Sequence, residues 1–326
     1  MTRLIKISFL NNAPNIGGPA TFQSNFTNYF CKSYDVFVMS KKNKRADIIF
    51  LIGAPIKKFF KILLIKFFHK SKIILRLDGD KWQYKYNSIS FKLRVIFIFH
   101  NLSFYFYQLF ADVVIYQSDY VKKIWYNKYF VKKYFIIHNG AEILNIDRNL
   151  SKKLKIICIE GDLSNCIGAV EILNKLLDYE IVVYGKISER QQKSINNKNV
   201  KLMGLVSREE INKILKMDEK YIFLSLEYRA ACPNSVIEAF TKSIPIIAHK
   251  ESSVPELLGK NALYFNTYDG LKYDYQEINK KIRFIDDNYD RILKEINLHK
   301  KKLSLEKMLL SYTKVINEVC PHSRPE

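Results

Sequence analysis

Short, continuous apolar runs separated by longer mixed stretches dominate the hydropathy pattern of the chain. In the first half the runs are LIKISFL (residues 4–10), YDVFVMS (34–40), ADIIFLIGAP (46–55), KIILRLDGD (72–80), ADVVIYQS (111–118) and YFIIHNGAE (134–142). Runs of this length, bounded by Gly, Pro, Asn and Asp, predict strands buried on both faces. Helices are predicted between them: from about Thr21 to Cys31, and across 56–72, 91–110 and 121–130. The alternation predicts a parallel sheet with right-handed crossovers.

LNIDRNLSKKL (144–154) is polar and patternless, which predicts a boundary between an N-terminal domain, 1–148, and a C-terminal one, 149–326. The alternation then restarts. Strands are predicted at 154–161, 179–186, 199–207, 220–227, 244–250 and 261–266, with helices at 168–177, 208–217 and 235–243. A charged helical tail runs from Tyr273 to about Val319. Two successive βα domains imply an α/β architecture with ligands at the carboxyl ends of the strands.

Composition supports a globular chain with room for two cores: 326 residues, 48% apolar, with 11 Gly and 8 Pro. The net charge is +21, and it is uneven. Residues 1–150 hold 24 Lys and Arg against 8 Asp and Glu, the remainder 29 against 24. The N-terminal half therefore suits something anionic, unless the Lys, Ile and Asn excess is compositional bias. The five scattered cysteines show no CxxC or metal-ligand spacing, and read as reduced residues of a cytoplasmic protein. MTRLIKISFLNN is too short and too soon polar for a signal peptide and reads as a first strand. FKLRVIFIFHNLSFYFYQLF (91–110) is interrupted by Arg94, His100, Asn101 and Gln108. It reads as a buried helix, with an interfacial helix as the alternative, rather than a membrane span.

The candidate chemistry centres on CPNSVIEAF. Pro233, Asn234 and Ser235 suit a helix start, whose free N–H groups form an anion site. Glu238, one turn in, can accept two hydroxyl hydrogen bonds from a vicinal diol such as a ribose, or can simply favour the helix dipole.

The wider stretch CPNSVIEAFTKSIPIIAHKESSVPELLGKNALYF resembles the C-terminal signature of retaining glycosyltransferases of the GT-B fold, group 1 or family-four type. Glu238 matches that signature's second acid, SIPIIA (243–248) its strand and VPELLG (254–259) its loop. NIGGPATF, RLDG, VVIYQS, IIHNGAE and NVKLMGLVSREEINKIL are family-like too. The resemblance implies two Rossmann-like domains facing each other across a cleft, with the acceptor side on the N-terminal domain. It implies transfer of a sugar from a nucleotide-sugar donor to a glycan or lipid-linked acceptor, with retention and no metal or other cofactor. Surface polysaccharide, lipopolysaccharide or glycoconjugate synthesis is the expected setting. Glu238 is then expected to hold the ribose, and the N–H groups of Asn234, Ser235 and Val236 the diphosphate. Gly17 and Gly18 are expected to let the first loop approach a ligand, and Gly185, followed by Lys186, to lie near the base. Glu256 is expected to fix its loop.

Departures from the family pattern matter as much. Eight positions before Glu238, where the family has its first acid, stands Ala230, with Glu227 and Arg229 out of register beside it. In EGDLSNCIG, Asp162 and Ile167 occupy the places of two family cations. Lys186, Arg208, Lys250 or Arg229 are the candidate replacements. Glu227, Arg229, Asp78 and His138 are the candidate catalytic residues, with Arg76 and His100 as further N-domain candidates on the acceptor side. A non-catalytic relative that binds nucleotide sugar or glycan is the alternative reading. Epimerase chemistry has too few cleft acids to support it, and no nucleic-acid signature accompanies the charge. The segment 56–72 is either a peripheral helix for the anionic inner face of a membrane or an ordinary crossover helix with a lysine-rich solvent face. On a helical wheel its apolar face holds Ile56, Phe59, Phe60, Leu63, Leu64 and Phe67, and Lys57, Lys58 and Lys61 lie elsewhere.

Overall fold

The structure is a computed structural model, and it describes residues 4–10, 17–39, 45–53, 58–81, 90–146, 148, 153–163, 166, 168–268 and 272–321. Ile56, Lys57 and Ile167 lie outside these. The chain forms two compact units, one of residues up to His138 together with Met308 onward, the other from Asn139 to Lys307.

In the first unit the predicted runs become β1 (Lys6–Phe9), β2 (Asp35–Val38), β3 (Ile48–Ile52), β4 (Lys72–Leu77), β5 (Val113–Tyr116) and β6 (Tyr134–Ile136). All pair in parallel, in the order β2-β1-β3-β4-β5-β6, with Ile7 opposite Ile48 and Ile74 opposite Val113. The connecting helices are α1 (Gly18–Phe30), α2 (Phe59–His69), α3 (Phe91–Phe110) and α4 (Asp119–Trp125). Helix α1 begins three residues before the predicted Thr21, because Pro19 in its first turn has φ already set for a helix. The core is aromatic: Phe9 meets Phe26 edge-on at 5.4 Å, and Phe22 lies 5.1 Å from Tyr312.

The faces of α2 and α3 differ from expectation. Helix α2 turns Ile62 and Ile65 inward and leaves Phe60, Leu64, Phe67 and Phe68 exposed. Helix α3 buries Ser103, Phe104, Tyr107 and Gln108, all in its second half, so it is not the buried helix its composition implied. A helix that is apolar all round carries no periodicity to say which side faces the core.

In the second unit the strands are β7 (Lys155–Asp162), β8 (Glu180–Lys186), β9 (Val200–Gly204), β10 (Tyr221–Leu224), β11 (Ile246–His249) and β12 (Leu263–Phe265). Their order is β12-β11-β10-β7-β8-β9, again wholly parallel. The helices are α5 (Ala169–Lys175), α6 (Glu189–Ser194), α7 (Arg208–Leu215), α8 (Asn234–Thr241) and α9 (Val254–Leu258). Alternate strand residues feed opposite faces. Ile157 and Phe223 join the layer that holds Val236 and Phe240, whereas Ile156 and Ile222 join Leu173 and Ile282. Both faces are thus buried, which is why these strands read as unbroken apolar runs.

Two corrections concern the division of the chain. The boundary falls at His138/Asn139 rather than at 148, because the intervening segment is bonded into the second unit. The Asn139 side chain donates to the Cys232 carbonyl at 2.9 Å, Ala141 N donates to Leu303 O at 3.0 Å, and Arg148 is buried there. The predicted tail is three helices, α10 (Tyr275–Asp287), α11 (Tyr289–His299) and α12 (Leu305–Val319). Of these, α12 belongs to the first unit. Tyr312 fills its aromatic core and accepts from Arg76 Nε at 3.2 Å.

Candidate functional site

In the second sheet the chain runs from β7 to β8 on one side and returns to β10 on the other, so β7 and β10 flank the topological switch point. Ligands of open α/β sheets bind outside the carboxyl ends of the strands at such a point. Glu160, near the end of β7, spans it. Leu226 N donates to Glu160 Oε1 at 2.7 Å, the Glu227 amide also donates to this carboxyl, and the Ser225 hydroxyl is 3.5 Å away. Burial, then the nearby Glu227 charge, pushes the Glu160 carboxyl up to about 8. Sequence reasoning passed over this residue, since an acid closing an apolar run looks like any strand end.

Gly185 closes the same edge from β8. Its φ is +140°, and a Cβ there would stand 2.0 Å from the Glu160 carbonyl oxygen, so only glycine fits. Lys186, beside it, is exposed and lies 3.8 Å from Asp162, one of the two departures from the family cations.

Helix α8 starts where CPNSVIEAF predicted. Pro233 is its N-cap, and among the described residues no side chain caps it. The helix N–H groups of Asn234, Ser235 and Val236 therefore open its first turn. Asn139 holds the approach to this turn: its backbone N–H donates to Cys232 Sγ at 3.3 Å and its side chain to Cys232 O. That accounts for the Asn of IIHNGAE. The glycine that follows has backbone to touch, because a Cβ on Gly140 would meet Ser304 O at 2.4 Å.

Glu238 is buried, with its carboxylate 3.2 Å from Arg208 Nη2. Arg208 is the first residue of α7, whose N-cap Ser207 accepts from Glu210 N. Of the cations considered as replacements, Arg208 is the one that reaches Glu238. Lys250 is exposed at the end of β11.

The loop from β10 to α8 holds the remaining candidates. Glu227 is half-buried beside Glu160. Arg229 has φ +56°, a left-handed conformation that a non-glycine residue adopts at a cost, and strain of this kind clusters at functional loops. Its N–H donates to Glu251 O, and Ser253 N donates to the carbonyl of the buried Ala230. Tyr228 OH donates to Glu251 Oε2 at 2.6 Å. This loop is thus bonded to β7 on one side and to the turn after β11 on the other. Glu256 is exposed in the first turn of α9.

Six of the predicted residues lie in the first unit. Gly17 and Gly18 follow β1, which flanks that sheet's own switch point between β1 and β3. Gly17 has φ +104° and caps α1, and Gly18 is the first residue of the helix. Asp78 directly follows β4; its carboxylate accepts from Gln117 Nε2 and its carbonyl from Trp125 Nε1. His138 is half-buried just after β6. Arg76 is core rather than acceptor surface: it stacks 4.2 Å over the Phe22 ring and donates to Gln117 Oε1 at 2.7 Å. His100 packs edge-on to Phe104 at 5.0 Å.

Comparison with known proteins bears on this arrangement. Residues 159–296, spanning Glu160, Gly185, Arg208 and Glu238, match the family model described as glycosyl transferases group 1. The amylovoran biosynthesis glycosyltransferase AmsK of Erwinia amylovora is 29% identical over 138 residues, 38% of this chain and 31% of that protein, so the chain spans about a third of this relative. A glycosyltransferase of Rickettsia africae superposes with a TM-score of 0.70 at 16% identity, covering 98% of this chain and 100% of the other. HepE of Anabaena, solved in complex with UDP and glucose, gives 0.67 at 14% identity, with 96% and 100% covered. The chain therefore has the GT-B fold of two Rossmann-like units, and its residues 159–296 match the model of the group 1 glycosyltransferase family.

Proposed function

We propose that the chain transfers a hexose-type sugar from a nucleotide-sugar donor to a glycan or lipid-linked acceptor, with retention and without a metal, in surface polysaccharide synthesis. The observation that carries this reading is the buried Glu238 at the start of α8, paired with Arg208 inside the group 1 domain. Breaking a sugar–phosphate bond leaves negative charge on the diphosphate, and catalysis needs fixed donors there. The open N–H groups of Asn234, Ser235 and Val236 and the Arg208 guanidinium supply them, while Glu238 takes the ribose hydroxyls. Arg208 then does the work of the family cations that Asp162 and Ile167 replace. The UDP complex of HepE and the amylovoran role of AmsK support a UDP-sugar donor and an exopolysaccharide-type acceptor. The basic N-terminal half suits an acceptor carrying phosphate, and a cytoplasmic setting at the inner face of a membrane follows from that acceptor.

A second reading, a catalytically weakened relative that still binds nucleotide sugar or glycan, is favoured by one feature: Ala230 is buried where the family places its first acid. A thermal-shift screen against UDP, GDP, ADP, CMP and their sugars separates the two. Stabilisation by one nucleotide, lost in Glu238→Ala, with slow hydrolysis of its sugar, supports transfer. Stabilisation without any turnover supports the weakened relative, and no shift with any nucleotide in a folded sample sinks transfer and leaves a glycan-binding relative that has lost its donor site.

A further inference from the structure

Helices α2 and α3 carry the largest exposed apolar side chains of the first unit. On α2, Phe60, Leu64, Phe67 and Phe68 recur at the spacing of one helical face, and Phe60, Phe67 and Phe68 are 78%, 68% and 77% exposed. On α3 a second stripe runs through Ile96, Phe99, Leu102, Phe106 and Leu109, with Phe91 82% exposed at its start. Phe59 joins the helices: its ring lies 6.4 Å from that of Phe106 and 5.6 Å from that of Phe110. Lys66 Nζ fixes α2 from beneath, 2.7 Å from Asp112 and 2.6 Å from Phe110 O. An exposed apolar surface of this extent marks an interaction site rather than ordinary surface scatter. Helix α2 is the crossover between β3 and β4, and its solvent side carries Phe60, Leu64, Phe67 and Phe68 as well as Lys61.

We infer that the outer faces of α2 and α3 dock this unit on an anionic lipid bilayer. The aromatic and aliphatic stripes enter the headgroup–acyl boundary while Lys61, Lys70 and Lys92 meet lipid phosphates. Charge decides the occupant. Neither helix contains a single Asp or Glu, both carry Lys or Arg, and the half-chain around them holds 24 basic residues against 8 acidic ones. A second copy of this chain would set two cationic rims against each other, whereas an anionic bilayer offers apolar interior and negative phosphate in one surface. Among the described residues no helix is long and apolar enough to cross a membrane, so the helices lie along it. This inference does not depend on the transferase reading.

Co-sedimentation of the full chain with phosphatidylcholine vesicles, plain or containing about one-third phosphatidylglycerol, tests it. Binding is expected to the anionic vesicles alone, and to weaken with salt. The triple variant Phe60→Ser/Phe67→Ser/Phe68→Ser, and separately Phe91→Ser/Phe99→Ser, should each lower it by about tenfold or more. These side chains point to solvent, so the melting temperature should hold. Hydrogen exchange should slow in 59–69 and 91–106 when vesicles are added. Failure to bind anionic vesicles, equal binding to plain ones, or serine variants that bind like the parent would overturn the inference. So would a dimer in sedimentation velocity that the serine substitutions dissolve, since a second copy would then cover the face.

Discussion

Arg208 Nη2 stands 3.2 Å from Glu238 Oε1, although the two residues are 30 apart in sequence and sit on different helices. The carboxylate is buried and the guanidinium is about one-third exposed. Truncating the arginine therefore leaves a buried charge uncompensated. Arg208→Ala should cost roughly 1–3 kcal/mol of stability. It should also weaken nucleotide binding by about tenfold or more, because one cation serves both the acid and the proposed diphosphate. Arg208→Lys keeps the charge without the planar fork and should recover part of each loss. Urea denaturation and nucleotide titration on both variants check this; an alanine variant that binds nucleotide like the parent would remove Arg208 from the site.

Glu160 sets a pH dependence whose sign can be worked out. Its folded carboxyl is raised to about 8 from an ordinary 4.5, so between those values the native state holds a proton the unfolded state has released. Stability from this residue is complete below about 4.5 and is lost as pH rises through 8, by a few kcal/mol in order of magnitude. Glu160→Gln keeps the shape and cannot ionise. The difference in melting temperature between variant and parent should therefore grow with pH across this window. A difference that stays flat would mean that Glu160 is ionised in the folded protein at neutral pH.

Much of this architecture was legible in the sequence for a definite reason. Parallel strands buried on both faces leave unbroken runs, and IIHNGAE, RLDG and CPNSVIEAF fall at strand ends and a helix start where backbone geometry restricts residue choice. What stayed hidden depends on distance in three dimensions. Arg208 was one of four cations that were equal in sequence; only the fold brings it to Glu238. Arg76 looked like a cleft residue until Tyr312, 236 positions away, was found beside it. The outward aromatic faces of α2 and α3 were ambiguous because an all-apolar helix has no pattern to orient it.

Gly185 gives a test of the close approach between β8 and β7. Alanine there must adopt φ +140° and place Cβ 2.0 Å from the Glu160 carbonyl oxygen, which is backbone and cannot swing aside. Gly185→Ala should cost about 3 kcal/mol or more and should disturb Glu160 and the Leu226 and Glu227 amides it holds. Gly17 offers the comparison. It also has positive φ, but no described residue lies within 4 Å of its Cβ position, so Gly17→Ala should be distinctly milder. Chemical denaturation of the two variants side by side checks the ordering.

Arg148 makes the strongest structural prediction, because it links the two helices that carry the ion pair. Its guanidinium is buried and donates to five carbonyls: Leu215 at 2.9 Å, Met217 at 2.7 Å, Glu219 at 3.2 Å, Lys242 at 2.8 Å and Ser243 at 3.2 Å. The first three lie at the end of α7 and in the turn after it, the last two in the turn after α8. Lys300 Nζ adds a bond to Ser243 Oγ at 2.8 Å. One side chain thus holds the trailing ends of the two helices that carry Arg208 and Glu238. Arg148→Met fills similar volume but leaves these carbonyls without that donor, so it should cost roughly 3–5 kcal/mol. The loss should appear as a low-temperature unfolding step of the second unit, with nucleotide binding lost in the same step. Arg148→Lys can satisfy only some of the carbonyls and should fall between. If Arg148→Met instead melts with the parent but binds nucleotide poorly, α7 and α8 have slipped without unfolding, and the arginine sets their register rather than their stability.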